Sequence, residues 1–250
     1  MEKIKLELCL ENYKTALIAN KYGFDSIEIN SSLALGGLTP SYGVLKEIEK
    51  IKGIEKNVML RNRPSGFNYN QDEYEALKNE LTYILELDID GIVFGFLDKD
   101  FNIDYSKTSD FVKIIHSRGK KAIFHRAFDN ANNPLESLNK LIDIGVDRIL
   151  TSGQANTAVE GAQLIRQMIN EADGKIEILI GSGVNSSNIE QLIEQTGGSF
   201  FHGSFKKLSS DQTSNKNISY DIDGYEGGAY IDIDINEIEK FLKIINKIGD

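Results

Sequence analysis

Residues 4–31 read IKLELCLENYKTALIANKYGFDSIEINS, and this stretch decides the fold. Leu6, Leu8 and Leu10 alternate with Glu7 and Cys9, the period of two that marks a strand. A helical run, Asn12–Lys21, follows and Gly23 stands just past its end. Alternation then resumes in Ser26–Ser31 around Ile27 and Ile29. Strand, helix and strand at these lengths make a βαβ unit with parallel strands. An open doubly wound sheet would carry a glycine-rich phosphate turn after its first strand. Here Cys9-Leu10-Glu11-Asn12 follows, without a glycine. The closed barrel is the preferred reading.

Working outward, the same unit recurs eight times. The further strands are expected at Asn57–Arg63, Gly91–Leu97, Lys121–Ala127, Arg148–Gly153, Glu177–Gly183 and Ser199–Phe205, with the first at Ile4–Leu10. The further helices are expected at Tyr42–Lys52, Asp72–Leu87, Ser106–Ser117, Pro134–Ile144, Thr157–Ala172, Ser186–Gln195 and Asn236–Ile248. Pro134 suits a first helical turn, where its missing N–H is harmless. Eight units in 250 residues match the size of a single-domain α/β fold, the closed parallel eight-stranded (β/α) or TIM barrel. One segment breaks the period. Residues 206–234 form a long loop between strand eight and helix eight, Ser/Asn-rich and then acidic, with Tyr220, Tyr225 and Tyr230. It reads either as a mobile excursion or as a lid over the barrel mouth.

Composition narrows the partners. The chain is 40% hydrophobic and 26% charged, with a formal net charge of −10. That surface excludes broad binding to nucleic acid or to an anionic membrane. No apolar run approaches a membrane span, and residues 1–5 do not open a signal peptide, so the expected location is cytoplasmic. The single cysteine, Cys9, excludes an intrachain disulfide and a cysteine zinc cluster.

Strand parity places the chemistry. If Leu6, Leu8, Leu10, Ile27, Ile29, Val58 and Leu60 face the helices, then Glu7, Cys9, Glu28, Asn30, Met59, Arg61 and Arg63 turn inward or lie at the upper rim. His125 ends strand five, and His202 shares a side of strand eight with Ser204. Glu7, Glu28, Arg61, His125 and His202 are therefore expected to converge in one cavity at the strand C-termini as a candidate catalytic site. Arg61 is the expected partner of both glutamates through its planar fork. A buried ion-pair network that fills the barrel is the alternative. The chain holds six arginines against 22 lysines, which directs attention to Arg61, Arg63 and Arg126 at strand ends. Arg148, at the start of strand six, belongs to the opposite end and to the fold. Barrels often hold phosphate with the loops after strands seven and eight. Arg63, Arg126, Ser152, Gly153, Gly181, Gly183 and Ser204 are accordingly the anion-binding candidates.

Several blocks resemble the CutC family. They are Glu7-Leu8-Cys9-Leu10, Ile27-Glu28-Ile29, Gly36-Gly37-Leu38-Thr39-Pro40-Ser41, Val93-Phe94-Gly95, Phe124-His125-Arg126-Ala127-Phe128-Asp129, Leu150-Thr151-Ser152-Gly153 and His202-Gly203-Ser204, in the family's order. The resemblance implies an eight-fold barrel and a cytoplasmic role in copper homeostasis, with copper bound through two cysteines. Cys9 matches the first cysteine, but Asn30 stands at the second. The family's Arg-Pro-Arg-Gly-Gly-Asp-Phe reads here Arg61-Asn62-Arg63-Pro64-Ser65-Gly66-Phe67. Copper would then need Cys9 with Met59, a histidine or the second subunit of a homodimer. The other class of function is a barrel enzyme, or former enzyme, acting on a small phosphate- or carboxylate-bearing molecule.

Overall fold

A computed structural model describes residues 3–214 and 228–249. Eight parallel strands close into a barrel: β1 (Lys5–Leu10), β2 (Ser26–Ile29), β3 (Glu55–Met59), β4 (Gly91–Phe94), β5 (Lys121–Phe124), β6 (Arg148–Thr151), β7 (Glu177–Ile180) and β8 (Phe200–Gly203). The helices α1 (Tyr13–Lys21), α2 (Tyr42–Ile48), α3 (Gln71–Ile84), α4 (Tyr105–His116), α5 (Pro134–Ile144), α6 (Ala162–Ala172), α7 (Ile189–Thr196) and α8 (Ile235–Gly249) follow the strands in turn. Local signals start and stop them. Asn12 caps α1 through the Thr15 N–H. Asn70 and Glu73 form a reciprocal capping box on α3. Pro134 opens α5 and Gly145 ends it in the left-handed region.

Leu6, Leu8, Leu10, Ile27, Ile29 and Val58 join one large apolar cluster with Ala16 and Ala19 of α1 and the other helix-layer residues. Their neighbours turn inward, as the alternation predicts. The inward face of β1 reads Lys5, Glu7, Cys9, that of β2 Ser26, Glu28, and that of β3 Glu55, Asn57, Met59. Register sets these side by side: Glu7 opposite Ser26 and His202, Cys9 opposite Glu28. Two small apolar clusters, Met59–Val93–Ile123 and Leu150–Leu179–Phe200, stand apart from the main core.

Three expectations need correction. Strand β3 begins two residues earlier than expected and ends at Met59, so Arg61 and Arg63 lie beyond it. Helix α6 begins at Ala162, five residues later than expected. The chain before it is drawn into turns by a close approach: a Cβ on Gly153 would lie 2.3 Å from the Gly161 carbonyl oxygen. The segment after β8 is also not wholly a loop. Strands β9 (Lys206–Ser210) and β10 (Ala229–Ile233) pair antiparallel at its base, with exposed Tyr230 on β10. The polar run KKLSS of β9 gives no alternation from which to read a strand. Tyr220 and Tyr225 lie outside the described residues. Among the described residues no helix is long and apolar enough to cross a membrane.

Candidate functional site

A cavity of about 450 Å³ opens at the C-terminal ends of the strands. Cys9, Glu28, Asn30, Met59, Arg61, Phe67, Arg126, His125 and His202 line it, together with the chain after β7 and β8 around Gly183 and Ser204. Four of the five candidate catalytic residues thus share one cavity. Glu7 does not line it. Its carboxylate sits below the floor, accepting from His202 Nδ1 at 3.0 Å, Ser26 Oγ at 2.9 Å and Asn57 Nδ2 at 2.8 Å.

The expected pairing of Arg61 with Glu7 and Glu28 is wrong. Arg61 lies past the end of β3, and its guanidinium folds over the mouth. It donates to the carbonyls of Leu35 at 3.2 Å, Gly37 at 3.0 Å and Ser65 at 2.7 Å. Its face lies against the Phe67 ring. The arginine that answers Glu7 is Arg148, 3.6 Å away, rising from the other end of the barrel. Arg148 also pairs with Glu55 at 2.9 Å and Glu177 at 2.7 Å.

The anion-binding candidates divide. Gly183, Ser204 and Arg126 line the cavity. Arg126 is held by Asp129 at 2.7 Å and by Ser152 Oγ at 2.9 Å. Arg63 points away, paired with Glu73 at the start of α3 and stacked on Tyr69. Ser152 and Gly153 lie behind the wall. Asp129 accepts from the Thr151 and Ser152 hydroxyls and from the Ser152 and Gln154 N–H groups. Gly181 is also behind the wall, where a Cβ would come within 2.7 Å of Leu150. Sequence reasoning missed Phe67, Asn57 and the organising part of Asp129. Asp129 had a signal, since it closes the Phe-His-Arg-Ala-Phe-Asp block.

Four lining side chains keep a buried polar atom without a partner among the described residues: Glu28 Oε2, Asn30 Oδ1, Arg61 Nε and His125 Nε2. The other oxygen of Glu28 accepts from Asn30 Nδ2 at 2.8 Å and from the Cys9 thiol at 3.5 Å. Burial pushes the Glu28 carboxyl up, and neighbouring Glu7 adds to this, against the pull of His202. Burial also pushes the Cys9 thiol well up, with Glu28 reinforcing it. Burial alone would lift Glu7 and depress His202. Neighbours outweigh it: His202 and then Arg148 hold Glu7 below the carboxylate range, and the Glu28 charge, then Glu7, holds His202 above the imidazole range. His125 goes the other way: burial, then the Arg61 charge, lowers it to about 3. Its Nδ1 accepts from the Ala127 N–H at 3.1 Å, so the neutral ring carries its proton on Nε2. Cys9, Glu28 and His202 also bring one donor atom each within 4.8 Å of one another, a geometry that can hold a metal ion.

Comparison with known proteins gives consistent results. The model of the CutC family matches residues 4–207. A relative named as a family protein CutC, from Treponema denticola, is 39% identical over 252 residues, covering 99% of this chain and all of its own. A second, from Glaesserella parasuis, is 41% identical over 77% of this chain and 79% of its own. A solved structure from Streptococcus agalactiae, described as a copper homeostasis protein CutC, is 32% identical. It superposes with a TM-score of 0.75 over 80% of this chain and 98% of that one. The deoxyribose phosphate aldolase of Aeropyrum pernix shares the fold alone: 14% identity and a TM-score of 0.55 over 80% of this chain and 85% of that one.

Proposed function

The chain belongs to the CutC family, and we propose that it works by binding a small carboxylate- or phosphate-bearing molecule in the cavity at the C-terminal ends of its strands. The observation that carries this is the set of unpartnered buried atoms on Glu28, Asn30, Arg61 and His125, all on residues that line one cavity. A buried polar group without a partner costs about 1–3 kcal/mol. Four beside one cavity are what a polar ligand would satisfy. Arg126, half-exposed at the rim, and the backbone around Gly183 and Ser204 supply groups suited to an anion. The cavity is also far larger than one ion needs. A crystal soaked with a low-molecular-weight cell extract tests the reading. Density for an anionic metabolite against Arg126 and His125 is the expected result. An empty mouth after soaks in several extracts would refute it.

A second reading, copper handling, has one observation in its favour: the Cys9–Glu28–His202 cluster. Copper would be cargo here. The fit is partial. Soft Cu(I) favours thiolates, and the cluster offers one thiol whose deprotonation is opposed by burial and by Glu28. Asn30 supplies no soft donor at the position of the second family cysteine. Competition against a Cu(I) chelator is expected to show weak binding to the monomer. Tight one-to-one binding that disappears in Cys9→Ser would put copper first.

A further inference from the structure

We propose that Glu28 and His125 act together on a carbonyl compound bearing a hydroxyl on the adjacent carbon, with Glu28 removing the proton from that carbon and His125 holding the carbonyl oxygen. The proposal rests on the small-ligand reading above and gives that ligand a chemical class.

His125 is built as a neutral donor. The Ala127 N–H occupies its Nδ1, which leaves the proton on Nε2. Gly95 makes room for the ring, since a Cβ there would stand 2.6 Å from two of its atoms. Phe67 packs on it at 4.9 Å between ring centres. The ring is 3% exposed and stays uncharged through the neutral range. A neutral imidazole N–H polarises a carbonyl without giving up a full charge, and stabilises the oxygen as it becomes anionic.

Glu28 is built as a base. Asn30 and Cys9 hold one carboxylate oxygen, which fixes the rotamer. The other oxygen has no partner among the described residues. A carboxylate oxygen free to accept, on a residue that lines the cavity, suits proton abstraction. The two groups come from β2 and from the end of β5, so a substrate can lie between them. Met59, Phe67 and Leu150 add apolar wall around that space.

The step balances within the substrate and Glu28. The carboxylate takes the proton from the hydroxyl-bearing carbon. The C–H electron pair becomes the new C=C bond, and the carbonyl π pair moves onto oxygen, where the His125 Nε2–H donates to it. Return of a proton from the Glu28 carboxyl to the same carbon restores the substrate. In D₂O the net result is exchange of that hydrogen for deuterium.

The experiment follows this exchange by proton NMR, using dihydroxyacetone and dihydroxyacetone phosphate as probes. Binding of glycolohydroxamate, a mimic of the enediolate, is measured in parallel. Wild type is expected to exchange at least one probe above the buffer rate. Glu28→Gln is expected to lose about 100-fold or more in exchange while still binding glycolohydroxamate. His125→Phe is expected to lose about 100-fold, and His125→Asn, which keeps an N–H donor, less. Circular dichroism confirms folding of each variant, and Glu28→Gln is close to isosteric. Undiminished exchange in Glu28→Gln would overturn the proposal. So would glycolohydroxamate binding to wild type without exchange, although the small-ligand reading would then stand. Neither binding nor exchange in wild type also overturns the proposal. The small-ligand reading is then judged separately by the soaked crystal.

Discussion

The two ends of the barrel interior hold similar residue types in opposite states. At the N-terminal end, Arg148 is 1% exposed and is met by Glu7, Glu55 and Glu177. Lys121 and Lys5 add ion pairs to Glu55 and Glu177. At the C-terminal end, Glu28, Asn30, Arg61 and His125 are similarly buried, and each keeps a polar atom unpartnered among the described residues, against Asn57 Oδ1 alone in the lower network. Burying charge is tolerable when partners compensate it. Leaving groups uncompensated costs stability and persists where function requires it. The lower end therefore reads as the part that holds the barrel, and the upper end as the part that works. Glu7 joins them, touching Arg148 below and His202 above.

The largest effect should come from breaking the lower network. Arg148→Met would leave three carboxylates facing one another without their shared cation. Removing one partner of a buried network costs about 3–5 kcal/mol, and urea unfolding at pH 7 measures it. A loss below about 1.5 kcal/mol would mean that the lower charges are not the structural half. Glu55 gives an independent view of the same network. Burial opposes its ionisation, but Arg148 and Lys121 hold its pKa down to about 2. That depressed value stabilises the fold above pH 4.5, by about 3 kcal/mol. The contribution is lost as pH falls from about 4.5 toward 2.

Arg61→Ala comes next, at about 2–3 kcal/mol. The reason is not an ion pair. Three backbone carbonyls, at Leu35, Gly37 and Ser65, lose their donor. The buried Gly37 acceptor left open costs about 1 kcal/mol. The acceptors on exposed Leu35 and Ser65 cost less, and the stacking on Phe67 goes with them. Faster proteolysis near residues 35–37 should accompany the loss. If stability falls by less than about 0.5 kcal/mol, Arg61 belongs to the working half alone.

The Arg61 assignment shows what was legible in the sequence. The βα repeat and the inward parity of Glu7, Cys9, Glu28 and Met59 are local properties, and they reappear in the fold. Which arginine meets Glu7 is not local. It depends on the stagger of strands around the barrel, which raises Arg148 from the start of β6 to the level of Glu7 and leaves Arg61 above β3. Height along the barrel axis has no signature in a linear pattern. The same holds for Glu7 itself, whose parity is right but which sits one layer beneath the cavity. The tautomer of His125 was equally hidden, since it is set by a backbone N–H two residues on.

The two histidines of the upper end should respond to pH in opposite directions. His125 titrates near 3 when folded and near 6.5 when unfolded, so its neutral burial stabilises above pH 6.5 and that contribution shrinks as pH falls. The loss between pH 6.5 and 5.5 is about 1 kcal/mol. His202 has a raised pKa, so its contribution is full below about 6.5 and is lost as pH rises through the folded value. Urea midpoints across pH 5–8 should show His125→Asn flattening the acid side and His202→Asn flattening the alkaline side. An unchanged acid slope in His125→Asn would mean that the ring is not held neutral.

The smallest effect, and the sharpest contrast with Arg148, is expected from Glu28→Gln. The amide keeps an oxygen to accept from Asn30 Nδ2, as Glu28 Oε1 does at 2.8 Å. It removes a buried charge whose ionisation burial and Glu7 both oppose. Against this it loses the attraction of His202, which opposes the upward shift. The amide N–H₂ also takes the place of an oxygen that has no partner to lose among the described residues. These effects nearly cancel, so stability at pH 7 should change by less than about 1 kcal/mol, on the stabilising side. Thermal and urea melts of the purified variant decide it. A loss of 2 kcal/mol or more would show that Glu28 is bound into the structural network like Glu55. The division of the barrel into a holding end and a working end would then fail at its central residue.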